Sequence, residues 1–202
     1  MQKVPNATVS LFENSFDQPN VIGRTTPARA SSNATILLGG HLDSTSQHAS
    51  TLAPGADDDA SGTAVALHVF SILASSGWIS ATSKYPIEVH AYSGEEGGLL
   101  GSDALAASYS RAGREIRGML NLEMVGWQPE KTGSSTITVL TDPQGPMSQH
   151  ALAVVKQYVP TATLRSSYCG FGCSDHYSWS DLGYPVVCLA SYGPLDSNLN
   201  PN

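Results

Sequence analysis

Residues 35–43 read Thr-Ile-Leu-Leu-Gly-Gly-His-Leu-Asp, the clearest sign of architecture in the chain. A continuous apolar run of this kind is typical of a strand buried on both faces of a sheet, and it predicts a strand over Thr35–Gly39. His41 and Asp43 follow directly. Because doubly wound sheets bind ligands outside the carboxyl ends of their strands, the stretch also predicts ligand-binding chemistry at that edge.

Similar apolar runs recur along the chain and alternate with segments of helical periodicity. Further strands are predicted at Asn20–Arg24, Ile87–Tyr92, Gly118–Val125, Thr136–Leu140 and Pro185–Ala190. Helices are predicted at Thr63–Ala74, near Gly98–Ser110 and near Pro146–Tyr158. The apolar stripe that predicts the buried face of the first helix consists of Val65, Val69, Ile72 and Leu73. The alternation predicts one three-layer α/β domain over residues 1–202, with a mostly parallel, twisted central sheet and helices on both faces.

Composition and charge disfavour several classes of partner. The chain has 202 residues, 41% of them hydrophobic, which is enough to bury a substantial core. Its formal net charge of -7 disfavours nucleic acid and anionic membranes, since both need a basic face. No apolar run reaches about 18 residues, so no membrane span is predicted. Met1–Pro5 leads into polar sequence, so we expect no signal peptide within this chain.

Two N-glycosylation sequons and three cysteines bear on the compartment. The sequons Asn6-Ala7-Thr8 and Asn33-Ala34-Thr35 are compatible with secretion. Cys169 and Cys173 could form a small disulfide loop or supply two metal ligands. The disulfide is favoured, because no second pair and no histidine stands at zinc-finger spacing. Cys188 lies in an apolar run and is predicted to be a buried free thiol.

Acidic side chains reach the same predicted edge from other segments. Glu95 and Glu96 follow the strand Ile87–Tyr92, Glu123 follows the run that starts at Gly118, and Asp57-Asp58-Asp59 precedes the first helix. Singly, these are explained by solvated turns or by carboxylates that complement a helix dipole. Together they predict a metal site. Histidine and carboxylates without thiolate suit hydrolytic zinc, and two ions about 3.5–4 Å apart would share a bridging carboxylate.

Four segments resemble the co-catalytic di-zinc aminopeptidases of the bacterial leucyl aminopeptidase type, which include secreted fungal leucine aminopeptidases. They are His41–Ser44, Pro54–Gly62, Ala91–Glu96 and Cys169–His176. The resemblance runs in order from about Ser15 to Pro201. It implies the zinc exopeptidase fold, two zinc ions, and a secreted monomer. The substrates it implies are peptides with a free N-terminus, from which one residue, preferably apolar, is removed at a time.

The resemblance also implies a role for each site residue. Asp58 would bridge two zinc ions, and His41 and Glu123 would complete one of the two sites. Glu96 would bind the other ion, and Glu95 would be the general base.

Residues around this centre receive supporting roles from the same resemblance. Asp43 would orient the imidazole of His41. The disulfide Cys169–Cys173, with Phe171 and Met124, would shape an apolar pocket for the N-terminal side chain of the substrate.

Two departures from the family pattern qualify the resemblance. Glu123 stands where the family usually has aspartate, and its extra methylene would shift the metal or the backbone. The family's second zinc-binding histidine lies in an Asn-Pro-x-x-His-Thr-like segment, whereas this chain ends at Asn200-Pro201-Asn202. We therefore expect a chain truncated at both ends, with His176 as an alternative ligand.

Three alternative functions are compatible with the same sequence. A carboxypeptidase or a glutaminyl cyclase would share the fold, but a cyclase uses one zinc ion and needs no complete Asp-Asp-Asp-Ala-Ser-Gly motif. A non-catalytic peptidase-like binding domain, as in the transferrin receptor, would have lost the base and the ligands. Retention of Glu95 favours an enzyme.

Overall fold

The computed structural model describes residues 7–28, 32–46, 52–128, 135–141 and 145–191. Asn6 of the first sequon and the segment 200–202 lie outside the described residues. The strands are β1 (Ala7–Phe12), β2 (Asn20–Thr25), β3 (Thr35–His41), β4 (Ile87–Tyr92), β5 (Ile116–Glu123), β6 (Thr136–Leu140), β7 (Thr163–Ser167) and β8 (Val186–Ala190). The helices are α1 (Ala60–Ser75), α2 (Trp78–Ala81), α3 (Leu100–Arg111), α4 (Pro146–Tyr158) and α5 (His176–Ser180).

All eight strands belong to one sheet, in the order β1-β2-β4-β3-β5-β8-β6-β7. The central strands β4, β3, β5 and β8 are parallel to one another, whereas β1, β2 and β6 join antiparallel neighbours. The predicted α/β architecture with a mostly parallel sheet is confirmed. In the described part of the chain, no helix is long and apolar enough to cross a membrane.

Strand β3 lies at the centre of the sheet and is buried on both of its faces. Leu37 packs with α3 and α5 in one apolar cluster, and its neighbour Leu38 packs with α1 and α2 in the other. Because successive side chains of a strand point to opposite faces, one apolar run contributes to both cores. The three-layer arrangement follows from this double burial.

The strands that the sequence did not predict are the two edges of the sheet. β1 and β7 are mostly exposed and each has a neighbour on one side only. Their sequences, Ala-Thr-Val-Ser-Leu-Phe and Thr-Leu-Arg-Ser-Ser, lack a continuous apolar run. An edge strand is held by hydrogen bonds to one neighbour and needs little burial, so it leaves a weak sequence signal.

The predicted buried face of α1 is wrong. Its buried residues are Gly62, Ala66, Phe70 and Ala74. The exposed fractions of Val65, Val69 and Ile72 are 42%, 37% and 53%, and only Leu73 of the predicted stripe packs, partly buried, against the core.

Close approach between α1 and the sheet explains which face is buried. A Cβ atom on Gly62 would lie 2.4 Å from the carbonyl oxygen of Leu122, and one on Gly40 would lie 2.9 Å from the backbone nitrogen of Thr63. Glycines on both elements therefore let the start of α1 touch β3 and β5. This contact brings Asp57-Asp58-Asp59, which precedes the helix, to the carboxyl edge of the strands.

Candidate active site

The carboxyl ends of three parallel strands hold the polar residues of the site. β3 ends at His41, β5 ends at Glu123, and the turn with Glu95 and Glu96 follows β4. Asp59 is the N-cap of α1 and lies at the same edge. Parallel strands deliver these side chains together because all their carboxyl ends point the same way.

His41 is the centre of this group, with only 1% of its side chain exposed. Its Nδ1 lies 2.9 Å from the carbonyl oxygen of Asp43, which makes Nδ1 the donor and leaves the lone pair on Nε2. Nε2 has no hydrogen-bond partner among the described residues. Three carboxylate oxygens surround it, at 3.1 Å from Asp58, 3.8 Å from Glu123 and 4.0 Å from Glu95.

The carboxylates around His41 carry more negative charge than the neighbouring side chains neutralise, which favours binding of a cation. Within the described ranges, Asp58, Glu95 and Glu123 form ion pairs only with His41. Burial, followed by the charges of Asp175 and Glu123, raises the pKa of Glu95 to about 8. Burial alone would lower the pKa of His41, but the nearby carboxylates of Asp43, Asp58 and Glu123 raise it instead. An unbonded imidazole nitrogen among crowded oxygen donors fits a divalent metal such as zinc.

Asp58 and Asp59 differ in what their oxygens contact. One ligand atom each from His41, Asp59 and Glu123 lie within 4.8 Å of one another, so Asp59 belongs to the group by distance. However, Asp59 accepts backbone hydrogen bonds at 3.1 Å each from His41, Gly62 and Met124. Those bonds tie β3, α1 and β5 together. The chemistry of the donors therefore favours Asp58, whose Oδ1 faces the free nitrogen, as the metal ligand.

Asp43 connects the two sides of the site. Its carbonyl oxygen accepts the hydrogen bond from His41, while its carboxylate accepts from the backbone nitrogens of Glu95 and Glu96 at 3.1 and 3.0 Å. The carboxylate is 3.7 Å from Nδ1 of His41. The tautomer of His41 is therefore set by the backbone of Asp43, and the side chain holds the turn that carries the two glutamates.

Glu96 lies at the outer side of the site. It is exposed, and its Oε1 accepts a hydrogen bond of 3.0 Å from the backbone nitrogen of Thr45. Partial burial, and then the charge of Asp58, raise the pKa of Glu96. His176 is buried in the first turn of α5 and is not a member of the group around His41 in the described chain.

Ser174 and Asn121 support Glu123, and sequence reasoning gave them no role. The hydroxyl of Ser174 donates to Oε2 of Glu123 at 2.6 Å and accepts from Asn121 Nδ2 at 2.7 Å. Asn121 and Glu123 alternate on β5 and so share one face of the sheet. That period of two was the signal that could have identified Asn121.

The residues predicted to line a substrate pocket belong to two separate segments of the chain. Met124 follows Glu123 in a left-handed conformation, with φ of 47°. The disulfide Cys169–Cys173 is formed, and Cys188 is a buried free thiol, as predicted. Phe171, inside the disulfide loop, is 56% exposed.

A mostly parallel sheet with one buried histidine and several carboxylates at its carboxyl edge defines an α/β domain of the metallohydrolase class. The chain belongs to peptidase family M28, because the sequence model of that family matches residues 20–198. Membership, together with the donor group around His41, implies a metal-dependent site.

Curated and solved proteins agree with this membership. The chain is 36% identical over 199 residues to a probable leucine aminopeptidase of Arthroderma otae, covering 96% of this chain and 52% of the relative. It is 26% identical to the solved zinc aminopeptidase BSAP from Bacillus subtilis, with a TM-score of 0.71, covering 91% of this chain and 42% of that one. The chain also shares its fold with the solved LapA aminopeptidase of Legionella pneumophila, with a TM-score of 0.84 and 24% identity. That match covers 97% of this chain and 50% of LapA. The chain thus spans about half the length of the curated relatives it matches.

Proposed function

We propose that this chain is the catalytic part of a zinc-dependent aminopeptidase that releases N-terminal, preferably apolar, residues from peptides. The observation that carries the proposal is the convergence of Asp58, Glu95 and Glu123 within 4.0 Å of Nε2 of His41. Its relatives named leucine aminopeptidase support the substrate class.

The chain's own residues divide the work of binding and proton transfer. His41, Asp58 and Glu123 would hold one zinc ion, with Asp58 shared by a second ion that Glu96 also binds. Zinc would supply a Lewis acid for the scissile carbonyl and would lower the pKa of a bound water.

Glu95 is proposed as the general base. It takes a proton from the attacking water and returns it to the leaving nitrogen as the C–N bond breaks. Its carboxylate lies 4.0 Å from Nε2 of His41, and its backbone nitrogen is held by a hydrogen bond to the carboxylate of Asp43. Burial, followed by the charges of Asp175 and Glu123, raises its pKa to about 8, and a bound cation nearby would lower it again.

The test is hydrolysis of leucine 4-nitroanilide by the 202-residue chain. We expect activity with zinc, loss with a chelator, and recovery when zinc returns. The Glu95→Gln variant should keep its bound zinc but lose roughly 10²–10⁴-fold in kcat, because it retains the shape of the side chain without the base. Full activity in that variant would refute the role of Glu95, and activity that survives chelation would refute the metal.

N-blocked and C-blocked dipeptides distinguish the alternatives. An aminopeptidase cleaves the C-blocked and spares the N-blocked substrate, whereas a carboxypeptidase does the reverse. A binding domain cleaves neither. Metal analysis of the loaded chain gives the number of zinc ions: one would occupy the site of His41, Asp58 and Glu123, and two would mean that another residue of the chain completes the site of Glu96.

Secretion and glycosylation belong to the same proposal. Asn33 of the second sequon is exposed, so its side chain is accessible to a glycan. Expression through a eukaryotic secretory pathway should give a mass that endoglycosidase lowers and that Asn33→Gln also lowers. An unchanged mass in both cases would exclude use of this sequon.

A further inference from the structure

An apolar rim lies beside the turn that carries the proposed base. It consists of Phe16, Leu99, Leu100 and Tyr177. Leu100 and Tyr177 are 47% and 38% exposed, although both have large apolar surfaces. Grouped apolar residues that stay exposed beside polar side chains mark a surface that binds a ligand or partner.

Backbone hydrogen bonds tie this rim to Glu95. The nitrogen of Leu99 donates to the carbonyl oxygen of Glu95 at 2.9 Å, and that of Leu100 donates to Gly94 at 3.0 Å. The ring of Phe16 lies against Gly94, since a Cβ atom on that glycine would be 3.0 Å from Cζ of the ring. The position of the base and that of the rim are therefore set by one turn.

The two ends of the rim are also fixed. Tyr177 and Leu99 meet at Gly172, where a Cβ atom would lie 2.9 Å from the tyrosine ring and 3.3 Å from Cδ1 of the leucine. The loop that carries Phe16 is fastened by Ser93, whose hydroxyl donates to the carbonyl oxygen of Pro19 at 2.7 Å. A surface held in this way needs little ordering when a ligand binds.

We propose that this rim binds the side chain of the second residue of the peptide, so that the enzyme prefers an apolar residue after the cleaved bond. The inference rests on the proposed aminopeptidase function. Glu95 must come within about 2.6–3.2 Å of the leaving nitrogen to return the proton. That nitrogen belongs to the second residue, and its Cα atom is about 1.46 Å away. The second residue therefore lies close to Glu95, and the rim on the same turn is the apolar surface that we assign to its side chain.

The experiment compares three substrates with the zinc-loaded chain: leucine amide, Leu-Phe-amide and Leu-Gly-amide. We expect kcat/KM to be about tenfold higher for Leu-Phe-amide than for Leu-Gly-amide, since apolar contacts discriminate by this order. Leu100→Ser and Phe16→Ser should each lower that ratio about fivefold, mainly through KM for Leu-Phe-amide. Ile72→Ser, on the exposed side of α1, is the matched control and should keep the wild-type ratio.

A binding measurement separates this inference from the catalytic proposal. In saturation-transfer NMR with the zinc-free chain, the phenyl protons of Leu-Phe-amide should receive magnetisation from wild type and from Ile72→Ser, but much less from Leu100→Ser. Equal ratios and equal transfer in all variants would overturn the rim while leucine amide hydrolysis still upheld the peptidase. Absence of leucine amide hydrolysis would overturn the peptidase, and the transfer experiment would then decide whether the rim binds the apolar side chain.

Discussion

Asp58 and Asp59 are neighbours in the chain, yet their carboxylates have different surroundings. Asp59 is 1% exposed and accepts three backbone hydrogen bonds from separate segments. The side chain of Asp58 is 24% exposed and faces Nε2 of His41. Carboxylate oxygens already occupied by N–H donors hold the fold together, whereas free oxygens can bind a cation. One residue therefore stabilises the site and the other is proposed to bind the metal.

We expect paired substitutions to separate these roles. Asp59→Ala leaves three backbone donors without an acceptor and should lower the free energy of unfolding of the zinc-free protein by roughly 2–4 kcal/mol. Asp58→Asn should change that free energy by less than about 1 kcal/mol but weaken zinc binding at least about tenfold. Urea unfolding and zinc titration measure the two effects. Equal loss of stability in both variants would contradict this division.

At the scale of elements, α1 shows how contacts with a sheet select the buried face of a helix that has apolar residues on more than one face. Both of its possible faces carry apolar residues, so hydrophobicity alone does not distinguish them. The sheet accepts the face with Gly62 and Ala66 because these small residues allow close approach, and Phe70 then fills the core further along. The buried face of α1 is therefore decided by its shape complementarity with the sheet, which is a property of the two elements together.

Substitutions on the two faces of α1 test this assignment. Phe70→Ala removes a ring from the core and should lower the free energy of unfolding by about 3–5 kcal/mol. Ile72→Ser removes an exposed side chain and should cost less than about 1 kcal/mol. Thermal or urea unfolding of both variants is the measurement. A larger cost at Ile72 than at Phe70 would restore the face that the sequence predicted.

Strand β4 carries a buried polar network at the end opposite the site. Glu88 accepts hydrogen bonds from Arg24 and from Arg114, the latter at 2.7 Å. It also accepts from Tyr109 at 2.7 Å and contacts His90 Nε2 at 3.0 Å. Burial alone would raise the pKa of Glu88, but these partners hold it well below its usual range. The charge of Glu88 is thus part of the packing between β2, β4 and α3.

The stability of the chain should therefore depend on the ionisation of Glu88. Its folded pKa is depressed, so its contribution is fully present above the unfolded value of about 4.3 and is lost as pH falls below it. Glu88→Gln should lower the free energy of unfolding at pH 7 and flatten its decline between about pH 5 and 3. Urea unfolding of the zinc-free protein at several pH values measures both.

The control for this network is Glu115→Gln, which changes an exposed carboxylate. It should leave the pH dependence of unfolding as in wild type. If Glu88→Gln also left the slope unchanged, the charge of Glu88 would not contribute to stability.

At the scale of the whole molecule, the two ends of the central strands differ in how their acids are neutralised. The carboxyl edge of the sheet holds the acids around His41, whereas Glu88 at the amino end of β4 is paired with Arg24 and Arg114. Crowded carboxylates at one edge repel one another in the absence of a cation. Metal binding is therefore expected to stabilise the entire domain as well as to supply chemistry.

Zinc should raise the unfolding temperature of the chain. A ligand that binds only the folded state at about 100 times its Kd adds about 2.7 kcal/mol, or roughly 5–10 °C for a domain of this size. Differential scanning fluorimetry with and without zinc measures the shift. His41→Ala should abolish it, and a shift that persists in this variant would place the metal elsewhere.

Much of the fold followed from the chain's local patterns. The runs Thr35–Gly39 and Ile87–Tyr92 predicted central strands because double burial demands continuous apolar sequence, and this signal is local. The positions of His41, Glu95 and Glu123 after such strands then predicted that they would meet, since parallel strands share one carboxyl edge.

Other features depended on partners distant in sequence. The inward position of Asp59 is set by backbone donors from His41 and Met124, which no local pattern reveals. The edge strands β1 and β7 form because the adjacent strand has backbone groups available for hydrogen bonds. The buried face of α1 is selected because glycines allow the helix to approach the sheet closely. Local sequence thus specified which elements form and what chemistry they carry. Contacts between elements specified orientation, because orientation is decided by the energy of both partners together.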